Sequence, residues 1–168
     1  MENLIDILKN EDYRGFKAFI RSDKIANVSC NEEMEFFKTA PEHWQKAYLN
    51  TMWMQPQSER CLMITGSQDV LRWSYKSWGF WRENVLWAFS TASPSTCLKV
   101  LMCYDEYPGA EMELAMIRRN DLQLLKVWLE KYHELGEDAE RYLEEQPRAA
   151  ALKNEYINYV ISRQVDEK

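Results

Sequence analysis

The chain has 168 residues, 46% hydrophobic and 13% aromatic, with a net charge of −6. That apolar load is more than a disordered chain carries, and five Gly with five Pro are too few for the dense turns of an all-β sandwich or barrel. The acidic balance argues against non-specific nucleic-acid binding, and no run of about 18 uncharged apolar residues is present to span a membrane.

The opening MENLIDILKNEDYRGF brings in acids at once and lacks the small-residue cleavage site of a secretory signal. Cys30, Cys61, Cys97 and Cys103 form neither a CxxC pair nor a dense framework, which suits free thiols in a reducing compartment. A cytoplasmic address is therefore expected.

One pattern recurs along the chain: an acid, an apolar anchor three residues later, a turn signal, and then a second apolar helix. The anchors are Ile5, Phe36, Leu62, Trp87, Leu114 and Leu143, spaced by 31, 26, 25, 27 and 29 residues. Three residues before them stand Glu2, Glu33, Glu59, Asn84, Glu111 and Glu140. An acid in the first helical turn offsets the positive end of the helix dipole by roughly 0.3–1 kcal/mol, and that is the role expected of the five Glu among them.

Turn signals fall in step with the anchors. They are Asn10 to Asp12, Thr39-Ala40-Pro41, Thr65-Gly66-Ser67, Ser93-Pro94-Ser95, Arg119-Asn120-Asp121 and Gln146-Pro147. Ser, Thr and Asp there serve as helix N-caps, and Pro fits the first turn of the helix that follows. In the segment after Asp121, Leu122, Leu125, Leu129 and Tyr132 recur every three to four residues and mark one buried helix face.

The pattern predicts an all-α fold, a right-handed α-solenoid of about six degenerate helix-turn-helix repeats forming one domain over 1–168. Units are expected over about 1–24, 32–55, 58–80, 82–107, 109–135 and 137–163. Residues 22–32 are expected to be an irregular connection, and Arg163 to Lys168 a frayed tail. The short two-helix units resemble those of helical-repeat proteins of the HEAT and tetratricopeptide kind, although the period is shorter and neither consensus is present. That resemblance implies a curved scaffold with a recognition surface, and no activity.

Familiar reaction chemistry finds no pattern here. His43 and His133 lie in neither HExxH nor a Cys-rich context, so no zinc site of usual spacing is expected and no cofactor is called for. Phosphate loops of the GxxxxGK or GxGxxG type and the GxSxG elbow are missing. Cys97 and Cys103 lie in the apolar stretch CLKVLMCY, where burial is expected. The enzymatic alternative is a hydrolase with a carboxylate or Cys97 site assembled between repeats.

Two surfaces stand out as candidates for a partner. From Trp73 to Trp81 the chain carries five aromatics, Trp73, Tyr75, Trp78, Phe80 and Trp81, interleaved with Lys76 and followed by Arg82. The register assigns Trp73 and Trp87 to the core, which leaves Tyr75, Trp78, Phe80 and Trp81 either as interface anchors or as filling between repeats. The second surface is acidic: residues 130–145 hold seven acids, among them Glu130, Glu134, Glu137 and Asp138, against Lys131 and Arg141. This run is either a solvated helix end or a face for a basic protein surface, where it would also mimic phosphate charge.

The function expected is therefore a non-catalytic protein-binding module of the inhibitor, immunity or adaptor kind, whose partner is a protein with a basic surface. A self-assembling structural module is a further alternative. Leu4, Ile5, Ile7, Leu8, Phe16, Phe19 and Ile20 make the first unit look poorly capped, so a homodimer through the N-terminal repeat is expected.

Overall fold

A computed structural model describes residues 3–166 of the chain, so the acid expected at Glu2 and the tail residues Glu167 and Lys168 lie outside the described residues. The chain is all-α, with no strand among the described residues. It forms two compact units, one up to Asn84 and the other from Val85 onward.

In the first unit, α1 (Leu4–Lys9), α2 (Tyr13–Ile20), α3 (Cys30–Thr39), α4 (Glu42–Thr51), α5 (Pro56–Thr65) and α6 (Gln68–Trp78) follow one another through short turns. A 3-10 turn over Asp23–Asn27 occupies five of the eleven residues of the expected irregular connection, and α3 takes its last three. Five of these six helix starts have a local cause. Asn3 and Asp6 form a capping box on α1, while Asp12, Ser29 and Ser67 accept from backbone N–H groups in the first turns of α2, α3 and α6. Pro56 occupies the first position of α5, where its missing N–H costs nothing.

Packing in this unit runs between alternate helices as well as neighbours: α1 lies against α2 and α3, α2 against α4, α3 against α5, and α4 against α6. The buried Phe16 ring stacks on Trp44 at 4.7 Å and meets Phe36 at 5.5 Å, while Phe36 meets Tyr48 at 5.2 Å. Truncating a buried aromatic of this kind costs about 3–5 kcal/mol, so these rings dominate the cohesion of the unit.

Helix α7 (Arg82–Ser90) leads into the second unit, which holds α8 (Pro94–Leu101), α9 (Ala110–Ile117), α10 (Leu122–Tyr132), α11 (Glu137–Glu145) and α12 (Ala150–Asp166). Ser93 caps α8 with Pro94 at its first position, and Asp121 caps α10. A 3-10 turn over Pro147–Ala149 precedes α12. Helix α9 packs against α10 and α11, and α12 packs against α10 and α11. The fully buried Trp128 sits at the centre, with Tyr132 at 4.6 Å, Tyr107 at 5.9 Å and Phe89 at 6.4 Å.

The six turn signals mark helix boundaries, with Thr39 and Thr65 closing α3 and α5 and Pro94 and Ser95 opening α8. The register holds less evenly. Phe36, Leu62 and Leu143 are buried anchors, whereas Ile5, Trp87 and Leu114 are only half-buried. In α9 the interior positions are Met112, Glu113, Met116 and Ile117, and Glu111 is exposed. The buried acid of α9 is thus Glu113, two residues beyond the expected one. At the C-terminus, α12 continues as helix to Asp166 where fraying was expected.

Candidate interaction surfaces

The recurring acids do more than meet a helix dipole. Glu33, Glu59 and Glu113 are all but fully buried, although each stands in a first helical turn where a solvated acid was expected. Each accepts a backbone N–H from the residue just before a later helix. Gln55, ahead of α5, donates to Glu33 Oε1 at 2.6 Å; Trp81, ahead of α7, donates to Glu59 Oε1 at 2.9 Å; Gly136, ahead of α11, donates to Glu113 Oε1 at 2.8 Å. The separations are 22, 22 and 23 residues. In a capping box an acid reaches back to the N-cap N–H of its own helix, and here the acid comes from an earlier helix. Accordingly α5 and α11 carry no side-chain cap of their own.

The second oxygen of each carboxylate takes an aromatic donor. Tyr48 Oη–H donates to Glu33 at 2.6 Å and Trp128 Nε1–H to Glu113 at 3.1 Å, both across 15 residues. Position 74 is the corresponding place for Glu59, and it holds a fully buried Ser whose hydroxyl has no partner among the described residues. Trp53 and Asn84 donate to Glu59 instead, at 3.4 and 3.0 Å. Burial pushes the Glu59 carboxyl up to about 7, against the lowering pull of Asn84, Trp81 and Trp53. Burial also raises Glu113, against the donors Gly136, Trp128 and Tyr107. These carboxylates are closed to solvent and tie helices together.

The aromatic segment divides into a fixed part and an outward part. Trp81 is half-buried, donates through Nε1 to the Met54 carbonyl at 2.8 Å, and stacks on Trp53 at 4.0 Å and 12°. Tyr75 and Phe80 are half-buried against each other at 5.0 Å. Trp78 faces outward at 42% exposure, and its Nε1 donates to the Leu49 carbonyl at 2.6 Å. Trp73, expected in the core, is also exposed, at 40%. The buried stripe of α6 is narrow, Val70, Leu71 and Ser74, and leaves Trp73 on its flank. Its Nε1 donates to Asn50 Oδ1 at 2.9 Å, and Lys46 lies 5.3 Å from its ring. Lys46, Asp69, Arg72, Trp73 and Lys76 line a shallow cleft between α4 and α6.

In the second unit Glu130, Glu134, Glu137 and Asp138 are all exposed, with Glu130 near the end of α10 and Glu137 and Asp138 opening α11. Asp138 meets Arg141 at 3.6 Å, a solvent-exposed pair of little energetic weight. Exposed Ile157, Ile161 and Val165 form a stripe along α12. At the N-terminal end Leu4, Ile7, Phe16, Phe19 and Ile20 are interior, and Ile5 and Leu8 are half-buried.

Cys97 is fully buried, and burial pushes its thiol up to about 11, far from the thiolate a nucleophile needs. Among the described residues no group of three or more His, Cys, Asp or Glu side chains is placed to hold a metal ion. Among the described residues no helix is long and apolar enough to cross a membrane. Comparison of the chain with family models, with curated proteins and with solved structures gives no match.

Proposed function

We propose that the chain is a non-catalytic protein-binding module, of the inhibitor, immunity or adaptor kind, that grips another protein with the outward aromatic face of α6. The observation that carries this reading is the pairing of exposure with order at Trp73 and Trp78. Both rings are about two-fifths exposed, yet each indole N–H is tied to α4, one to Asn50 and the other to Leu49. An anchor already held in place loses little conformational entropy on binding, and large aromatics of this kind supply much of an interface's energy. The exposed acids of α10 and α11 favour a partner with a basic surface by electrostatic steering.

As a scaffold the chain is a right-handed α-solenoid of about six helix-turn-helix units. Support comes from the pairing of alternate helices and from the recurring Glu contacts across 22 or 23 residues. The test is quantitative capture of a partner from the native lysate by the chain and by its Trp73→Ala/Trp78→Ala variant. A stoichiometric partner that the variant loses supports the reading. Equal recovery by both proteins refutes the role given to α6.

A further inference from the structure

We propose that the cleft between α11 and α12 is a docking site for an amphipathic helix of another protein, one with basic residues beside its apolar face. The helix enters with its N-terminal turn over Glu140. Glu140 stands in the first turn of α11, as Glu33, Glu59 and Glu113 stand in the first turns of α3, α5 and α9. It also has the matching aromatic donor, Tyr156 Oη–H at 3.4 Å across 16 residues. What it lacks is the third element of the pattern. Among the described residues no backbone N–H reaches its carboxylate, whereas Gln55, Trp81 and Gly136 supply one to the other three.

The surroundings match such an occupant. Where the earlier carboxylates are covered by the next helix, Glu140 is exposed and borders a cleft whose floor includes Leu143, Tyr156, Ile157 and Ile161. Ile157 and Ile161 are 42% and 53% exposed and lie one helical turn apart, the spacing that takes an i, i+3, i+4 and i+7 apolar face. Helix α11 carries five acids against the single base Arg141, and two of them, Glu140 and Glu144, line the cleft. Lys153 is taken up by Glu144 at 2.9 Å. A helix arriving N-terminus first brings its own positive end to this acidic rim, and basic flanking residues complete the charge match. The N-terminal helix of a second copy is a poor fit, because the Asn3 N–H at its start is already closed by Asp6.

This inference shares with the reading of α6 the idea of a basic protein partner and the acids of α11, and its outcome is separate from the lysate experiment. The probe is a synthetic 18-residue peptide with Leu at helical spacing and Lys on both flanks, titrated into the full chain by calorimetry. The same peptide with Glu for Lys is the control. The Lys peptide is expected to bind one to one, with chemical-shift changes confined to α11 and α12, and the Glu peptide not to bind. Ile157→Ser/Ile161→Ser is expected to weaken binding at least about tenfold, and Glu140→Ala about three- to tenfold. Glu130→Gln/Glu134→Gln, which alters acids outside the cleft, is expected to change it less than about twofold. All three variants alter exposed side chains, so circular dichroism should match the parent. Binding that is absent, or several to one, or equal in the Ile157→Ser/Ile161→Ser variant overturns the proposal. So does self-association of the parent that this variant abolishes, since a second copy would then be the occupant.

Discussion

Oε1 of Glu33 accepts a 2.6 Å hydrogen bond from the backbone N–H of Gln55, 22 residues further along the chain. The other oxygen accepts from Tyr48 at 2.6 Å, so one buried carboxylate ties α3 to α4 and to the entry of α5. A buried carboxyl group is expensive unless it is hydrogen-bonded, and here each of its oxygens has a donor. Removing the acid would strand both donors.

Glu33→Ala and Glu113→Ala are therefore each expected to destabilise the fold by about 2–4 kcal/mol, because a half-buried backbone N–H and a buried aromatic donor lose their acceptor together. Glu33→Gln retains one acceptor oxygen and should cost less than half as much. Urea unfolding of the three variants gives the values. A loss below about 0.5 kcal/mol for either alanine variant would show that these acids act only on the helix dipole.

Glu59 makes the fold sensitive to pH in the direction opposite to an ordinary ion-paired acid. Its carboxyl titrates near 7 in the folded protein against an ordinary value of 4.5, so between those values the folded state holds the extra proton. Its contribution to stability is complete below about 4.5 and is lost as pH rises through about 7. At about 1.36 kcal/mol per pH unit the loss is at most about 3 kcal/mol. Unfolding free energies measured from pH 4.5 to 8 should decline more for the parent than for Glu59→Gln, which cannot titrate. Parallel profiles for the two proteins would refute this assignment.

How much of this was readable in the sequence depends on how local the cause is. The turns at Ser67, Ser93 and Asp121 were readable because an N-cap acts on N–H groups two or three residues away. The burial of Glu33 was not, because a Glu in a first helical turn has the same local signature whether water or a later helix faces it. Its partner Gln55 is 22 residues distant, and only the shared 15-residue step to Tyr48 and Trp128 hinted at a common role for Glu33 and Glu113. The slip from Glu113 to Glu111 has a related origin, since both acids share one turn and only packing separates the buried from the exposed. Trp73 was misplaced because periodicity gives the direction of a helix face but not its width.

Ser74 lies 15 residues beyond Glu59, the step at which Tyr48 meets Glu33 and Trp128 meets Glu113. Its hydroxyl is fully buried without a partner, an arrangement that costs about 1 kcal/mol or more. Ser74→Ala is expected to raise stability by about 1 kcal/mol, helped by the better helix propensity of Ala inside α6. Thermal unfolding should shift upward by a few degrees for a chain of this size. A decrease in melting temperature would mean that the hydroxyl finishes a hydrogen bond after all.

Gly79 sets the angle at which the chain leaves α6, between the exposed Trp78 and the stacked Trp81. Its φ of 80° and ψ of −170° fall in a region that L side chains strongly disfavour, while a Cβ there would meet nothing within 4 Å. Any penalty for Gly79→Ala is thus backbone strain without a clash, and is expected to be about 1–3 kcal/mol. The mirror image of this conformation is an ordinary extended one, so a D-alanine at the position sits without strain. It also restricts the unfolded chain more than glycine does, for a gain of about 0.4–1 kcal/mol. Semisynthesis of the two epimers separates conformation from contact, because they add the same methyl group to the same open space. Loss with the L form and gain with the D form in urea unfolding would assign Gly79 to backbone geometry. Equal effects of the two would mean that the turn relaxes, and that Trp78 and Trp81 are held in place by Leu49, Met54 and Trp53 alone.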